Sequence, residues 1–217
     1  MQPVYYKLPK HNIIFLGMPK CANSSVKSSL LPLLDLPKEV DSKKVHKIFA
    51  EFQITKAEAE ELFPSCFSFT VVRNPWDRLI STYSDKINRK DGWHERLSSY
   101  DMQKNMSFSD FVDKLKVHHK EISDVHIRSQ MSILKSRSGM LSKFICRFES
   151  LPEDFKVVQA FVESEYGISL PALPVINKSK HKHYSHYYNG HTRREVRDIY
   201  LDDINAFGYK FEKLDND

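Results

Sequence analysis

The chain lacks most of what marks a small secreted, metal-stapled or membrane protein. Of its 217 residues only three are cysteines, Cys21, Cys66 and Cys146, and no two form a CxxC pair. So sparse and odd a set excludes a disulfide framework or a zinc ribbon and suits a reducing compartment. No apolar run approaches the ~20 residues that cross a bilayer; the longest early one, Ile13 to Met18, is strand-sized. The N-terminus does not show the basic, apolar and small-residue order of a secretion signal, so the expectation is a cytoplasmic chain without an anchor. Glycine is scarce too, with none between Gly17 and Gly92. That rules out a Walker A loop, which requires G-x-x-x-x-G-K followed by Ser or Thr, and disfavours a Mg²⁺-nucleotide phosphoryl transferase. The net charge of +5 is mild. It tolerates an anionic ligand without demanding nucleic acid.

What is present is enough for a core. Hydrophobic residues make up 41% of the chain, so it folds without disulfides or metals, as a single domain over 1–217. Asn12 to Leu16, Cys66 to Val72 and Lys143 to Phe148 read as short buried strands. Helices are expected over Ser24 to Leu34 (with Pro32 ending it early), Thr55 to Leu62, Trp76 to Ile87, Ser107 to Leu115, Val125 to Leu134, Pro152 to Tyr166 and Thr192 to Ala206. Residues 1–11 look like a loose lead-in, and Asn88 to Asn105 like a polar surface excursion. Strands alternating with helices predict an α/β fold, with a central, mostly parallel sheet covered by helices on both faces.

Two segments carry chemistry. The first is Pro19-Lys20-Cys21-Ala22-Asn23-Ser24-Ser25, between a strand and a helix start. The first amides of a helix have no internal partner, and its dipole favours an anion there. Lys20 adds a full charge, and Ser24 and Ser25 add hydroxyl donors. On its own this is a nonspecific phosphate or phosphosulfate site, and a capped helix beside a surface lysine explains it equally well. The second segment is Arg73-Asn74-Pro75-Trp76-Asp77-Arg78-Leu79-Ile80-Ser81-Thr82-Tyr83. Arg73 falls at the carboxyl end of a strand, where open α/β sheets bind ligands. Ser81 follows two turns into the next helix. A guanidinium and a hydroxyl so spaced can grip one phosphate.

In this order the two segments resemble the sulfotransferases that use 3′-phosphoadenosine 5′-phosphosulfate (PAPS), in particular the carbohydrate sulfotransferase branch and its bacterial relatives. The likeness continues through His126-Ile127-Arg128-Ser129-Gln130, Arg147-Phe148-Glu149-Ser150-Leu151, Asn177-Lys178-Ser179, Tyr187-Tyr188 and Phe207-Gly208-Tyr209. It implies a P-loop-like sulfotransferase fold and sulfuryl transfer from PAPS to a hydroxyl of a carbohydrate or similar acceptor. Adenosine 3′,5′-bisphosphate is the implied product, and no metal takes part. It implies that Pro19, Lys20, Cys21, Ala22, Asn23, Ser24, Ser25 and Val26 hold the 5′-phosphosulfate, and that Lys20 stabilises the leaving phosphate. Arg73 and Ser81 hold the 3′-phosphate, Lys178 and Ser179 close over the nucleotide, and His126 and Gln130 serve the acceptor. Ala22 stands where many relatives carry glycine, although alanine also occurs there in the carbohydrate branch. A general base is expected for the acceptor hydroxyl. His46, placed between the two segments as in related enzymes, is the leading candidate, with His126 next and Glu51 and Glu58 behind.

From Lys178 to Arg194, cations and histidines alternate with Tyr184, Tyr187 and Tyr188. Closure over the cofactor, phosphate-and-base contact with nucleic acid, and metal binding through the spaced histidines all compete here with a solvated loop. The first is favoured. The alternative to an enzyme is a non-enzymatic nucleotide- or RNA-binding module that uses the same anion loop. Neither the acceptor nor the oligomeric state is legible.

Overall fold

The computed structural model describes residues 4–36, 40–88, 95–137, 139–176 and 182–213. Its contacts group the chain into two units, Gln2–Val72 with Leu134–Lys178, and Arg73–Ile133 with Ser179–Asp217.

The first unit is built on a sheet. Ile13–Leu16 (β2) and Phe67–Val72 (β4) are buried almost throughout, as strands covered on both faces must be. They pair in parallel, Ile13 opposite Phe67 and Leu16 opposite Thr70, and β4 pairs in parallel with Phe144–Arg147 (β7). Tyr5–Lys7 (β1) adds antiparallel to β2, and Gln53–Ile54 (β3) antiparallel to β1. The order is β3-β1-β2-β4-β7. The α/β expectation holds, with a parallel centre and an antiparallel flank that the supposed lead-in supplies. Polar residues inside β4 are satisfied rather than exposed. Thr70 Oγ1 donates to the Leu16 carbonyl at 2.8 Å, and Ser68 Oγ accepts from the Lys143 amide at 3.0 Å.

Tyr6, Phe15, Phe69 and Phe67 stack in a row across neighbouring strands, 5.1–6.1 Å between centroids. The helix Leu151–Tyr166 (α7) covers one end of this row, Phe161 lying 3.9 Å from Phe67 and Phe155 6.3 Å from Phe69. The helix Ser42–Ala50 (α2) covers the other end with Phe49, edge-on to Tyr6 at 5.8 Å. Each buried ring contributes on the order of 2–3 kcal/mol of transfer free energy. The helix Asn23–Ser29 (α1) is shorter than expected; a 3₁₀ turn, Leu31–Leu34, with Pro32 in its first turn, follows it. Lys56–Leu62 (α3) begins with a capping box, the Thr55 amide donating to Glu58 Oε2 at 2.6 Å and the Glu58 amide donating to Thr55 Oγ1 at 3.2 Å. Lys135–Ser136 (β5) and Gly139–Met140 (β6) form a separate small ladder.

The second unit is helical. Pro75–Lys86 (α4), Phe108–His118 (α5) and Gly190–Ile199 (α8) pack Trp76, Leu79, Ile80, Tyr83, Phe108, Phe111, Leu115 and Val196 into one core. Gln130–Leu134 (α6) is only the end of the helix expected from Val125. The expected last helix is two, α8 and Leu201–Phe207 (α9), parted at Tyr200, whose ring is buried and whose hydroxyl donates to the Ile127 carbonyl at 2.5 Å. Among the described residues no helix is long and apolar enough to cross a membrane.

Candidate active site

In the first unit the chain leaves β2 through a tight loop. Gly17 is required by close approach: a Cβ there would lie 2.7 Å from Asn23 Oδ1 and 2.8 Å from a Tyr6 ring carbon. Asn23 Nδ2 donates back to the Gly17 carbonyl at 3.1 Å, folding the loop onto the strand end. Two residues that are not glycine take left-handed backbone, Lys20 at φ 67° and Ala22 at φ 54°. Ala22 is also the N-cap of α1, and no side chain caps that helix's first turn. Backbone of this hand at 22 is one that glycine adopts without steric cost and alanine does not. Cys21 is buried, its thiol 3.6 Å from the Pro19 carbonyl, and Cys66 and Cys146 are buried free thiols. Burial pushes the Cys146 thiol up to about 12. Ser25 is buried and makes no side-chain hydrogen bond among the described residues.

Ser24 meets His46. Its Oγ lies 2.8 Å from His46 Nε2, joining α1 to α2. The other ring nitrogen, Nδ1, is 3.4 Å from Lys27 Nζ. Lys27 was not among the sequence candidates. It is 1% exposed, with its ammonium 3.9 Å from the Tyr6 ring centroid and 5.4 Å from that of Phe49. Among the described residues no carboxylate pairs with it. Burial pushes the Lys27 amine down to about 7. The outer edge of His46 is exposed, but the side facing α1 is desolvated. That desolvation, with the nearby Lys27, lowers its pKa below the usual imidazole value. The structure thus brings Ser24, Lys27 and His46 together.

In the second unit Arg73 directly follows β4, and Asn74 caps α4 by accepting from the Trp76 amide at 3.1 Å. The Arg73 side chain is buried, with Nε donating to Asp77 Oδ2 at 2.8 Å. Its main chain is held from both sides by Gln130, whose Oε1 accepts from the Arg73 amide at 3.0 Å and whose Nε2 donates to the Arg73 carbonyl at 2.9 Å. Gln130 is itself fixed by buried Asp203, which accepts from the Gln130 and Met131 amides and from the Ser129 hydroxyl at 2.7–2.8 Å. The amide of Gln130 is therefore spent within the protein, and it bears on the site through Arg73. Ser81, buried on α4, makes no side-chain hydrogen bond among the described residues. Arg78, in the same motif, is structural: it donates to the Arg128 and Val125 carbonyls at 2.9 and 2.8 Å and ties down the segment before α6. His126 Nδ1 lies 2.8 Å from Asp124 Oδ1. Burial lowers the His126 pKa, against the opposing pull of Asp124. Lys178 and Ser179 lie outside the described residues.

The tyrosines of the basic segment turn inward. Tyr184 packs edge-on to Phe211 at 5.3 Å and Tyr188 edge-on to Phe108 at 4.9 Å, and the Tyr188 hydroxyl donates to the Trp76 carbonyl. They are core residues, not an exposed stacking surface. Outside them lies a groove of about 560 Å³ lined by Trp76, Arg193, Arg194, Arg197, Lys210 and Phe211 among others, with no carboxylate in its lining among the described residues.

In the first unit the loop after β2 offers Lys20 and the buried Ser25 hydroxyl, and in the second the turn after β4 offers buried Arg73 and the buried Ser81 hydroxyl; each set has donors of the kind that suits phosphate oxygens. Turns that leave two neighbouring parallel strands, and helices around a mixed sheet, are the arrangement of the sulfotransferase class. The chain belongs to the sulfotransferase family, whose model matches residues 5–210. It is similar to carbohydrate sulfotransferase 10 of Homo sapiens, 24% identical over 93% of this chain and 65% of that protein. The Gallus gallus protein of the same name is 26% identical at the same coverage, and that of Xenopus laevis 24% identical over 93% and 66%. The chain thus spans about two thirds of the length of these relatives. No solved structure matches with comparable significance.

Proposed function

We propose that the chain transfers a sulfuryl group from PAPS to a hydroxyl of a carbohydrate or similar acceptor. What supports this reading is that, inside a family match over residues 5–210, the Pro19–Val26 and Arg73–Ser81 segments, each with donors that suit phosphate, follow the carboxyl ends of adjacent parallel strands. PAPS, when bound, supplies a sulfuryl group on a phosphate oxygen; the rest falls to the chain. Pro19 to Val26 hold the 5′ end through loop amides and the Ser24 and Ser25 hydroxyls. Arg73 and Ser81 hold the 3′-phosphate, with Lys178 and Ser179 closing over the nucleotide. Lys20 offsets the charge that grows on the leaving phosphate oxygen as the S–O bond breaks. His46 takes the proton of the attacking hydroxyl at Nε2. His126 belongs to the acceptor side, and the groove lined by Arg193, Arg194, Arg197 and Lys210 supports an acceptor of polar or acidic character.

Calorimetric titration with adenosine 3′,5′-bisphosphate, beside transfer of labelled sulfate from PAPS to a panel of glycans, tests the reading. Arg73→Ala removes charge-assisted bonds of about 2–3 kcal/mol, so its affinity for the bisphosphate is expected to fall by roughly 30- to 150-fold. Lys20→Ala is expected to lose transfer more than binding. Absence of bisphosphate binding together with absence of transfer refutes the proposal; RNA binding that persists at physiological salt points to the nucleic-acid module instead.

A further inference from the structure

The chemistry above leaves one buried ionisable group unused. Lys27 is enclosed by Tyr6 of β1 and Phe49 of α2, and its amine touches a single polar ring atom, His46 Nδ1 at 3.4 Å. We infer that Lys27 is a positioning residue that decides which nitrogen of His46 carries the proton. This rests on the proposed role of His46 as base and extends it.

The argument is one of hydrogen-bond direction. A lysine ammonium has three donors and no acceptor. If Lys27 is charged, Nδ1 must accept from it, the ring proton sits on Nε2, and Nε2 donates to Ser24 Oγ. In that tautomer Nε2 has no lone pair for an incoming proton. If Lys27 is a neutral amine it offers a lone pair. The neutral amine keeps two N–H donors, but its lone pair now lets Nδ1–H donate to Lys27, which a charged lysine forbids; in that arrangement Nε2 is an acceptor toward the Ser24 hydroxyl. Lys27 would thus act on imidazole as the partner of a catalytic histidine does elsewhere, by fixing tautomer and ring orientation.

The surroundings favour the neutral amine. The groups in contact with Lys27 are His46 and the Phe49 ring on α2 and the Tyr6 phenol on β1, which burial keeps protonated; no carboxylate faces it among the described residues. The Tyr6 and Phe49 faces offer a cation–π attraction, which falls short of the cost of burying an unpaired ammonium. The amine accordingly titrates near neutrality, at about 7, where an enzyme's base must also be ready.

The test is nitrogen NMR on the full chain, labelled at histidine and lysine, without donor or acceptor. As pH rises through neutrality, the His46 ring proton is expected to move from Nε2 to Nδ1 at the same midpoint at which the Lys27 Nζ signal titrates. Lys27→Met is expected to keep the ring proton on Nε2 across the whole range. Lys27→Arg, a fixed cation, is expected to lower kcat by on the order of 10²-fold while the KM for PAPS changes little. A ring tautomer indifferent to Lys27, or an Nζ that stays cationic well above neutrality, overturns the inference even where His46→Ala is inactive. Near-normal transfer by His46→Ala would instead remove the base assignment, and with it the catalytic meaning of Lys27. The wild-type titration requires no variant to fold.

Discussion

Lys27→Met is the most direct probe of how the loop helix is built, because it separates packing from charge. Methionine keeps the length and the apolar stem that lies against Tyr6 and Phe49, so the core contacts survive. Only the amine is lost. Its pKa of 10.5 in the unfolded chain falls to about 7 in the folded one. The direction follows from proton binding: between these values the unfolded chain holds a proton that the folded chain does not, so wild-type stability rises with pH across that window. Below neutrality both states are protonated, and the full cost of a buried charge is present. Linkage over these two values gives about 2 kcal/mol of wild-type stabilisation from pH 7 to pH 9, relative to a variant that cannot titrate there. His46 titrates below its usual value, outside this window. Urea unfolding of both proteins at several pH values reads the effect as a difference of differences, so all other groups cancel. The methionine variant is expected to be the more stable near pH 7, with its advantage shrinking toward pH 9. An advantage that stays constant over the range, or grows, means that the Lys27 amine is hydrated or paired, and refutes the reasoning.

Other substitutions test the loop and its support. Gly17→Ala forces a methyl into the Asn23 amide and the Tyr6 ring, and a loss of about 1–3 kcal/mol is expected in thermal or urea unfolding; an unchanged midpoint would mean the loop yields freely. Ala22→Gly relieves a left-handed alanine and is expected to stabilise by about 0.5–1 kcal/mol, with bisphosphate affinity equal or better by calorimetry. Asp203→Ala leaves the Gln130 and Met131 amides without their acceptor and is expected to cost about 3 kcal/mol. If Gln130 positions Arg73, bisphosphate affinity should fall with it in protein that remains folded at low temperature.

Legibility in the sequence tracked how local the determining physics is. The strands β2, β4 and β7 stand out as short apolar runs. The Thr55–Glu58 box, the Asn74-Pro75 start of α4 and the Gly167 stop of α7 are likewise set by neighbours in sequence. Tyr5–Lys7 shows no period in the three residues between prolines, and its pairing comes from β2, beyond its own sequence. In Ser42–Ala50, Lys43, Lys44 and Lys47 hide the spacing of Val45 and Phe49, the residues it buries. The last helix reads as continuous because nothing local shows that Tyr200 must turn inward to reach the Ile127 carbonyl. Arg78 looked like part of a ligand-binding motif, yet its partners are two carbonyls about fifty residues away.

These omissions are connected, and they explain why Lys27 escaped notice while Lys20 did not. On its own helix Lys27 is an ordinary cation, two residues past Ser25, with nothing to distinguish it from a solvated side chain. It becomes a buried amine only because Tyr6 comes from β1 and Phe49 and His46 come from α2, the two elements that the sequence did not disclose. The same two elements give His46 its setting: α2 brings the ring to Ser24, and the aromatic wall strips water from its inner face. A lysine whose role is contact charge, such as Lys20, is legible from its place in a loop. A lysine whose role depends on being neutral is defined by what surrounds it, and that becomes visible only once the sheet edge and α2 are in place. If the tautomer of His46 follows Lys27, the strand and helix that appeared least informative in the sequence are the ones that set the protonation state of the proposed base.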